Sequence, residues 1–316
     1  MRDDSRPQMI ARIALILAIS FVTLACAGCV GGGTREAVPE LEVPFEFVRN
    51  QILVPVRIRG YGPYFCTVDT GANPSAIDAR LANELGLPVR EEAAPAEGVG
   101  AAEVLVRQTE FDVALEGGRS STISAVAMDL STLSAAFGRR LHCVLGQSWL
   151  GTRVAQVDYP ALRLRLSSSS LADPKGWVCV RTPMTFWMPD DLMPLVVVEV
   201  NGTAIPVSLD TGSSGTLKLF PEGARAAGIP TSGDDLSRNS VVGARGSAEV
   251  KRVTFASLRF GPISVKDVKG SIGDKILDEP EGRLGNVGNG LLQFGVATLN
   301  FPARRISICA PRSLSE

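Results

Sequence analysis

The hydrophobic pattern divides the chain into an apolar leader and two long stretches of short strands. Ile13 to Ala25 is a thirteen-residue apolar segment behind Arg2, Arg6 and Arg12, and small residues follow it at once. That order is an export signal, and the run falls short of the roughly 20 residues a membrane-crossing helix needs. Farther on, Ile52-Leu-Val-Pro-Val-Arg-Ile-Arg-Gly60 and Tyr64-Phe-Cys-Thr-Val-Asp-Thr-Gly71 read as strand, turn, strand. Leu195-Val-Val-Val-Glu-Val-Asn-Gly202 and Ile205-Pro-Val-Ser-Leu-Asp-Thr-Gly212 repeat them at a shift of 141 to 142 residues. The copies also close alike, Val144-Leu-Gly146 through Val157-Asp-Tyr-Pro160 to Leu166 answering Asn286-Val-Gly288 through Leu299-Asn-Phe-Pro302 to Ile308. Between these ends Ala76 to Leu87 and Phe220 to Ile229 read as short helix-like stretches, each followed by a glycine-containing hairpin and further strands. A period this long marks a domain-sized unit, so the pattern predicts two mainly β lobes, 41–166 and 177–312, about a pseudo-twofold axis. Ser167-Ser168-Ser169-Ser170 and the Asp173-Pro174-Lys175-Gly176 turn make 167–176 the linker.

Composition narrows the chemistry. The 316 residues are 45% hydrophobic with 32 Gly and 20 Pro, a globular, turn-rich make-up that suits β structure. Lys and Arg number 32 against 33 Asp and Glu with neither sign in a block, so no nucleic-acid partner is expected. His142 is the single histidine, and a Ser-His-Asp triad, a Cys-His dyad or a two-histidine zinc site would each have to use it. Its neighbour Cys143 points to the opposite face of a strand, so the two form no common site. All six lysines follow residue 170, and the sequence offers no functional reason for that.

The leader also carries Leu24-Ala25-Cys26-Ala27-Gly28-Cys29, which resembles a bacterial lipoprotein signal with Cys29 as the lipidated residue, although Cys26 stands where such signals prefer Leu. The expectation is a signal segment over 1–29, a tether over 30–40, export, and a lipid anchor in the cell envelope; the other reading is an ordinary signal peptide and a periplasmic protein. Cys66, Cys143, Cys179 and Cys309 then remain, an even number that three connectivities can pair.

Apolar residues followed by Asp-Thr-Gly occur at Thr67-Val68-Asp69-Thr70-Gly71 and at Ser208-Leu209-Asp210-Thr211-Gly212. Each has a second X-X-Gly element downstream, Asp69 to Gly146 spanning 77 residues and Asp210 to Gly288 spanning 78, with apolar Val144 opening the first and Asn286 standing where an apolar residue is expected in the second. Asp-Thr-Gly alone is ordinary turn chemistry. Two copies at matched repeat positions, each with a matched partner, are not explained by a turn. On these residues the chain resembles the aspartic proteases, and among them the bacterial retropepsin-like proteins, with two units fused as in pepsin-like enzymes. The resemblance covers 44–310 and implies a bilobal acid-protease fold of two β-barrel-like lobes with short helices.

The resemblance makes Asp69 and Asp210 the catalytic pair. It has Thr70 and Thr211 brace the two loops, and Gly71 and Gly212 permit the tight turns. Two carboxyls about 3 Å apart share one proton, one serving as base toward a water and the other as acid toward the carbonyl, with no metal or cofactor. It further places flaps at Glu97-Gly98-Val99-Gly100-Ala101-Ala102 and at Val241-Val242-Gly243-Ala244-Arg245-Gly246, Gly98, Val99, Gly100, Val242, Gly243 and Ala244 meeting an extended peptide. It makes the strands of Cys66 and Cys143 neighbours and implies a disulfide between them. Cys179 and Cys309, on the strands that open and close the second lobe, are candidates for another, with free buried thiols as the other reading. The expected protein is an exported, lipid-anchored aspartic endopeptidase, active as a monomer because one chain supplies both halves. From another class stands a catalytically silent periplasmic lipoprotein that binds peptides or scaffolds with the same fold.

Overall fold

A computed structural model describes residues 38–95, 100, 104–186, 193–232, 237–274 and 282–314. The leader, Cys29 and most of the tether lie outside the described residues, as do Gly98, Val99 and Trp187.

Each copy of the repeat folds into an eight-stranded sheet closed on itself. In the first lobe the order is Glu46–Val48, Gln51–Ile58, Tyr61–Val68, Cys143–Leu145, Ser75–Asp78, Ser121–Met128, Leu105–Leu115 and Val89–Pro95, with Gln51–Ile58 also pairing Leu105–Leu115. The second lobe repeats it as Thr185–Phe186, Pro194–Val200, Thr203–Leu209, Gly285–Val287, Leu217–Leu219, Ile263–Ile272, Gly246–Phe260 and Arg238–Gly243, closed by pairing of Pro194–Val200 with Gly246–Phe260. The opening hairpin turns on Arg59-Gly60 in one lobe and on Asn201-Gly202 in the other. All four residues have positive φ, the left-handed backbone that a two-residue hairpin turn requires and that glycine adopts without strain.

A third sheet joins the lobes, in the order Leu41–Pro44, Arg163–Ser167, Val154–Asp158, Val296–Asn300, Arg305–Ala310, Val178–Pro183. Three strands come from each side, and the pseudo-twofold axis passes where Gln156 faces Thr298, whose hydroxyl accepts from Gln156 Nε2 at 2.9 Å. Val154 to Val157 are all buried, as expected of a strand covered on both faces. One continuous apolar core runs through both barrels and this sheet, from Ile52 and Val54 to Val198, Leu299 and Ile308. Among the described residues no helix is long and apolar enough to cross a membrane.

The first helix-like stretch begins later than the sequence pattern suggests. Ser75–Asp78 is a strand, wedged between Cys143–Leu145 and Ser121–Met128, and the helix is only Ala79–Glu84. The pairing partners take Ala76 and Ile77 into the sheet, and Asp78 then caps the helix by accepting from Leu81 N at 3.2 Å. In the second lobe the helix is Pro221–Ala226, with Pro221 in the first turn where no N–H is missed. Disulfides join Cys66 to Cys143 and Cys179 to Cys309, each across register-paired residues of neighbouring strands, with Cα atoms 4.5 and 4.1 Å apart.

Candidate active site

Asp69 and Asp210 each stand just past a central barrel strand, where the lobes meet. Their backbone N–H groups donate to Leu145 O at 3.0 Å and Val287 O at 2.9 Å, so each loop hangs from the strand that ends in its own downstream glycine. Threonine hydroxyls lock the two loops together. Thr70 N donates to Thr211 Oγ1 and Thr211 N to Thr70 Oγ1, both at 3.0 Å. The same hydroxyls donate across the axis, Thr70 Oγ1 to Leu209 O at 2.7 Å and Thr211 Oγ1 to Val68 O at 2.8 Å. Both threonines are fully buried, so each of these four groups would be left unpaired without its partner.

The glycines explain themselves by distance. Gly71 N and Gly212 N donate to the Oδ1 of their own lobe's aspartate at 2.7 and 2.8 Å. A Cβ on Gly71 would lie 2.8 Å from Asp210 Oδ1, and one on Gly212 only 2.2 Å from the Asp69 carboxyl carbon. Each loop therefore needs glycine so that the other lobe's carboxyl can approach. Gly146 and Gly288 serve the layer beneath, where a Cβ would meet Ala72 O at 2.4 Å and Ser213 O at 2.5 Å.

The result is a half-buried pair of interacting carboxyls where the lobes meet. Burial, then the charge of Asp210, holds the Asp69 carboxyl well above the ordinary carboxylate range, against the pull of the Gly71 and Ala72 N–H groups. Around the pair the lobes are tied by residues the sequence did not single out. Gln51 Nε2 donates to Gly212 O at 2.9 Å, and Asn50 Nδ2 to Ser214 O at 2.9 Å. Asn289 Nδ2 donates to both Thr211 O and Asn50 O, while its Oδ1 accepts from the buried Tyr159 hydroxyl at 2.6 Å. Gln51 begins a strand, Asn50 and Tyr159 lie in turns and Asn289 opens a short helix, so no common sequence pattern marks them.

Asn286 is different in kind. Its Nδ2 donates to Asp210 Oδ2 at 2.9 Å, while its Oδ1 accepts from Ser208 Oγ at 3.0 Å. The sequence showed it only as a polar residue where the repeat expects an apolar one. Arg283, itself 8% exposed, donates to the same Ser208 hydroxyl at 3.2 Å.

The hairpins lie toward each other. A Cβ on Gly100, whose φ is +115°, would fall 2.1 Å from Arg245 O, so the described part of the first hairpin abuts the tip of the second. Gly243 and Gly246 pair across a two-residue turn of Ala244 and Arg245. Ala244 packs on an apolar cluster of the first lobe that includes Leu53, Ala76 and Val144. Val242 is 41% exposed.

His142 stays outside this arrangement, its Nδ1 accepting from Phe65 N at 3.0 Å. Burial, then Arg140, pushes it below its ordinary value. Trp149 is buried in the first lobe's core. Asp173, Cys179 and Cys309 are the one group of potential metal ligands in mutual reach among the described residues, and there the two sulfurs are bonded to each other.

A family model described as aspartyl protease matches residues 54–149 and 196–292, one match in each lobe. Among solved structures, a retropepsin-like aspartic protease from Rickettsia conorii is 20% identical over 42% of this chain and 95% of that one, with a TM-score of 0.32. Comparison with curated proteins gives no match.

Proposed function

The chain belongs to the aspartyl protease family, and from that premise we propose that it is an endopeptidase that hydrolyses peptide bonds with a water held between Asp69 and Asp210. The observation that carries this reading is the reciprocal threonine lock, which sets two half-buried carboxyls beside each other on the axis. Two such groups hold one proton between them. One carboxyl of the pair carries that proton and the other is ionised; burial and then Asp210 hold the Asp69 carboxyl above its ordinary range, and Asn286 donates to Asp210. The ionised carboxyl takes a proton from the water as it attacks the scissile carbonyl, and the protonated one donates to the developing tetrahedral oxygen. The proton returns through the pair as the amine leaves. No covalent intermediate forms.

The hairpins around Gly100 and around Val242, Gly243 and Ala244 close over the substrate, offering backbone hydrogen bonds to an extended chain and excluding water. One chain holds both carboxyls and acts as a monomer. The protein is exported and held at the cell envelope by lipid on Cys29.

Casein cleavage between pH 3 and 7, read by mass spectrometry, tests the chemistry. Asp69→Asn and Asp210→Asn are each expected to lower cleavage by about 10³-fold or more, with the double variant no worse than either. Equal silence of wild type and variants at every pH, on casein and on a diverse peptide library, would sink the hydrolase reading and favour the silent peptide binder.

A further inference from the structure

The strands beside the two aspartates are built on one plan and differ in chemistry at two of four matched places. In the first lobe Leu53 pairs with Thr67, Thr67 with Val144, and Val144 with Ala76. The second lobe reproduces that chain of partners as Leu195, Ser208, Asn286 and Lys218. Leu53, Val144 and Ala76 form an apolar cluster that the second hairpin covers with Ala244. At the matching places the second lobe carries an amide and an ammonium.

Lys218 lies between Leu217 and Leu219, both of which point into the core, so its own side chain leaves by the opposite face. That is the face of its cross-strand partner Asn286, which touches Asp210. Neighbouring strands stand about 4.8 Å apart and an extended peptide advances about 3.3 Å per residue, so Lys218 falls within about two residues of a bond cleaved at the dyad. The ammonium sits over the Phe220 ring, 5.3 Å from its centroid, and Arg283 approaches the same ring at 5.3 Å. Burial, then Arg283, pushes the Lys218 ammonium below its ordinary value, while Asp210 and Asp274 pull the other way. Among the described residues no carboxylate comes within ion-pair distance of it. Two cations thus lie near the dyad, Arg283 buried and Lys218 half-buried, and Lys218 has no carboxylate within ion-pair distance among the described residues.

Resting on the proposed endopeptidase reading, we infer that this half of the site is an anion-accepting subsite, in which Lys218 receives the side-chain carboxylate of an aspartate or glutamate in the substrate. A carboxylate there gains a charge-assisted hydrogen bond in a partly dry site, and an apolar residue would leave the ammonium buried against it. The substrate class is therefore an extended peptide with an acidic residue within two positions of the scissile bond.

The test is digestion of a diverse peptide library by the purified full chain, by Lys218→Ala and by Lys218→Glu, with cut sites read by mass spectrometry. Wild type should favour Asp or Glu over Gln and Leu by about tenfold at one position within two residues of the cut, the Ala variant should lose that preference, and the Glu variant should turn toward Lys and Arg. Cleavage without acidic preference, or a slowing of all peptides alike in the Glu variant, would overturn the subsite. Binding of matched acidic and neutral peptides to Asp69→Asn gives a readout free of catalysis. Acid-dependent binding with no cleavage by wild type would uphold the subsite and refute the hydrolase, whereas loss of both would refute the two together.

Discussion

The two lobes share strand order, motif and threonine lock, yet their floors differ in chemistry at two of four matched positions, Val144 against Asn286 and Ala76 against Lys218. Under Asp69 the neighbours are apolar, with Val144 and Ala76 at 5 and 6% exposure, and the strands are joined by the Cys66–Cys143 disulfide. Under Asp210 the same places hold Asn286 and Lys218, and Val207 and Gly285 stand where the disulfide would be. The pseudo-symmetric frame fixes where the carboxyls meet, while their surroundings differ: Asn286 donates to Asp210, and the matching Val144 offers Asp69 no such donor. Fusing two copies in one chain allows this difference, because each half can change alone.

Three changes would break or sharpen that contrast. The largest concerns the disulfide, which closes a loop of 77 residues and in chain-entropy terms contributes up to about 4 kcal/mol. Replacing Cys66 and Cys143 with alanine together should lower stability by about that amount in guanidinium unfolding. A loss under about 1 kcal/mol would show that the first lobe needs no staple the second lobe lacks.

Next is Asn286→Val, which gives the second floor the residue type of Val144. A hydrogen bond to a carboxylate is worth about 1.5–3 kcal/mol, and one pH unit corresponds to about 1.4 kcal/mol. Removing a donor to the charged form makes the pair take up its second proton more readily. The acidic limb of kcat/KM should therefore move to higher pH by about one unit, with the alkaline limb nearly in place. An acidic limb that does not move would show that the asymmetry of the dyad lies elsewhere.

The smallest effect is on the pH dependence of stability. Asp69 is raised above its ordinary value, so its contribution to the folded state is fully present below about 3.8 and is lost as pH rises through the folded value. Asp69→Asn removes that loss. Its melting temperature should exceed that of wild type at neutral pH, with the gap closing toward pH 3. A gap independent of pH would mean that the Asp69 carboxyl is not the source.

The repeat, the lobes it encodes and the two Asp-Thr-Gly loops were legible because each is a local pattern written twice, and a coincidence seldom recurs at a matched spacing. The lysines were visible as a bias toward the second half, without a reason. The helix at Ala79–Glu84 began later than its apolar period suggested, because Ala76 and Ile77 answer to strands distant in sequence. Gln51, Asn50, Asn289 and Tyr159 carry no motif, and their worth lies in the carbonyls they reach across the axis. Sequence by itself determined the mainly β, duplicated plan and the identity of the paired carboxylates, since periodicity and turn chemistry act between near neighbours. Only the tertiary structure decided that Asn286 donates to Asp210 alone of the two carboxyls, and that Lys218 shares the face of Asp210. Burial and charge belong to the groups that surround a side chain, and those arrive from strands on the order of 70 residues away.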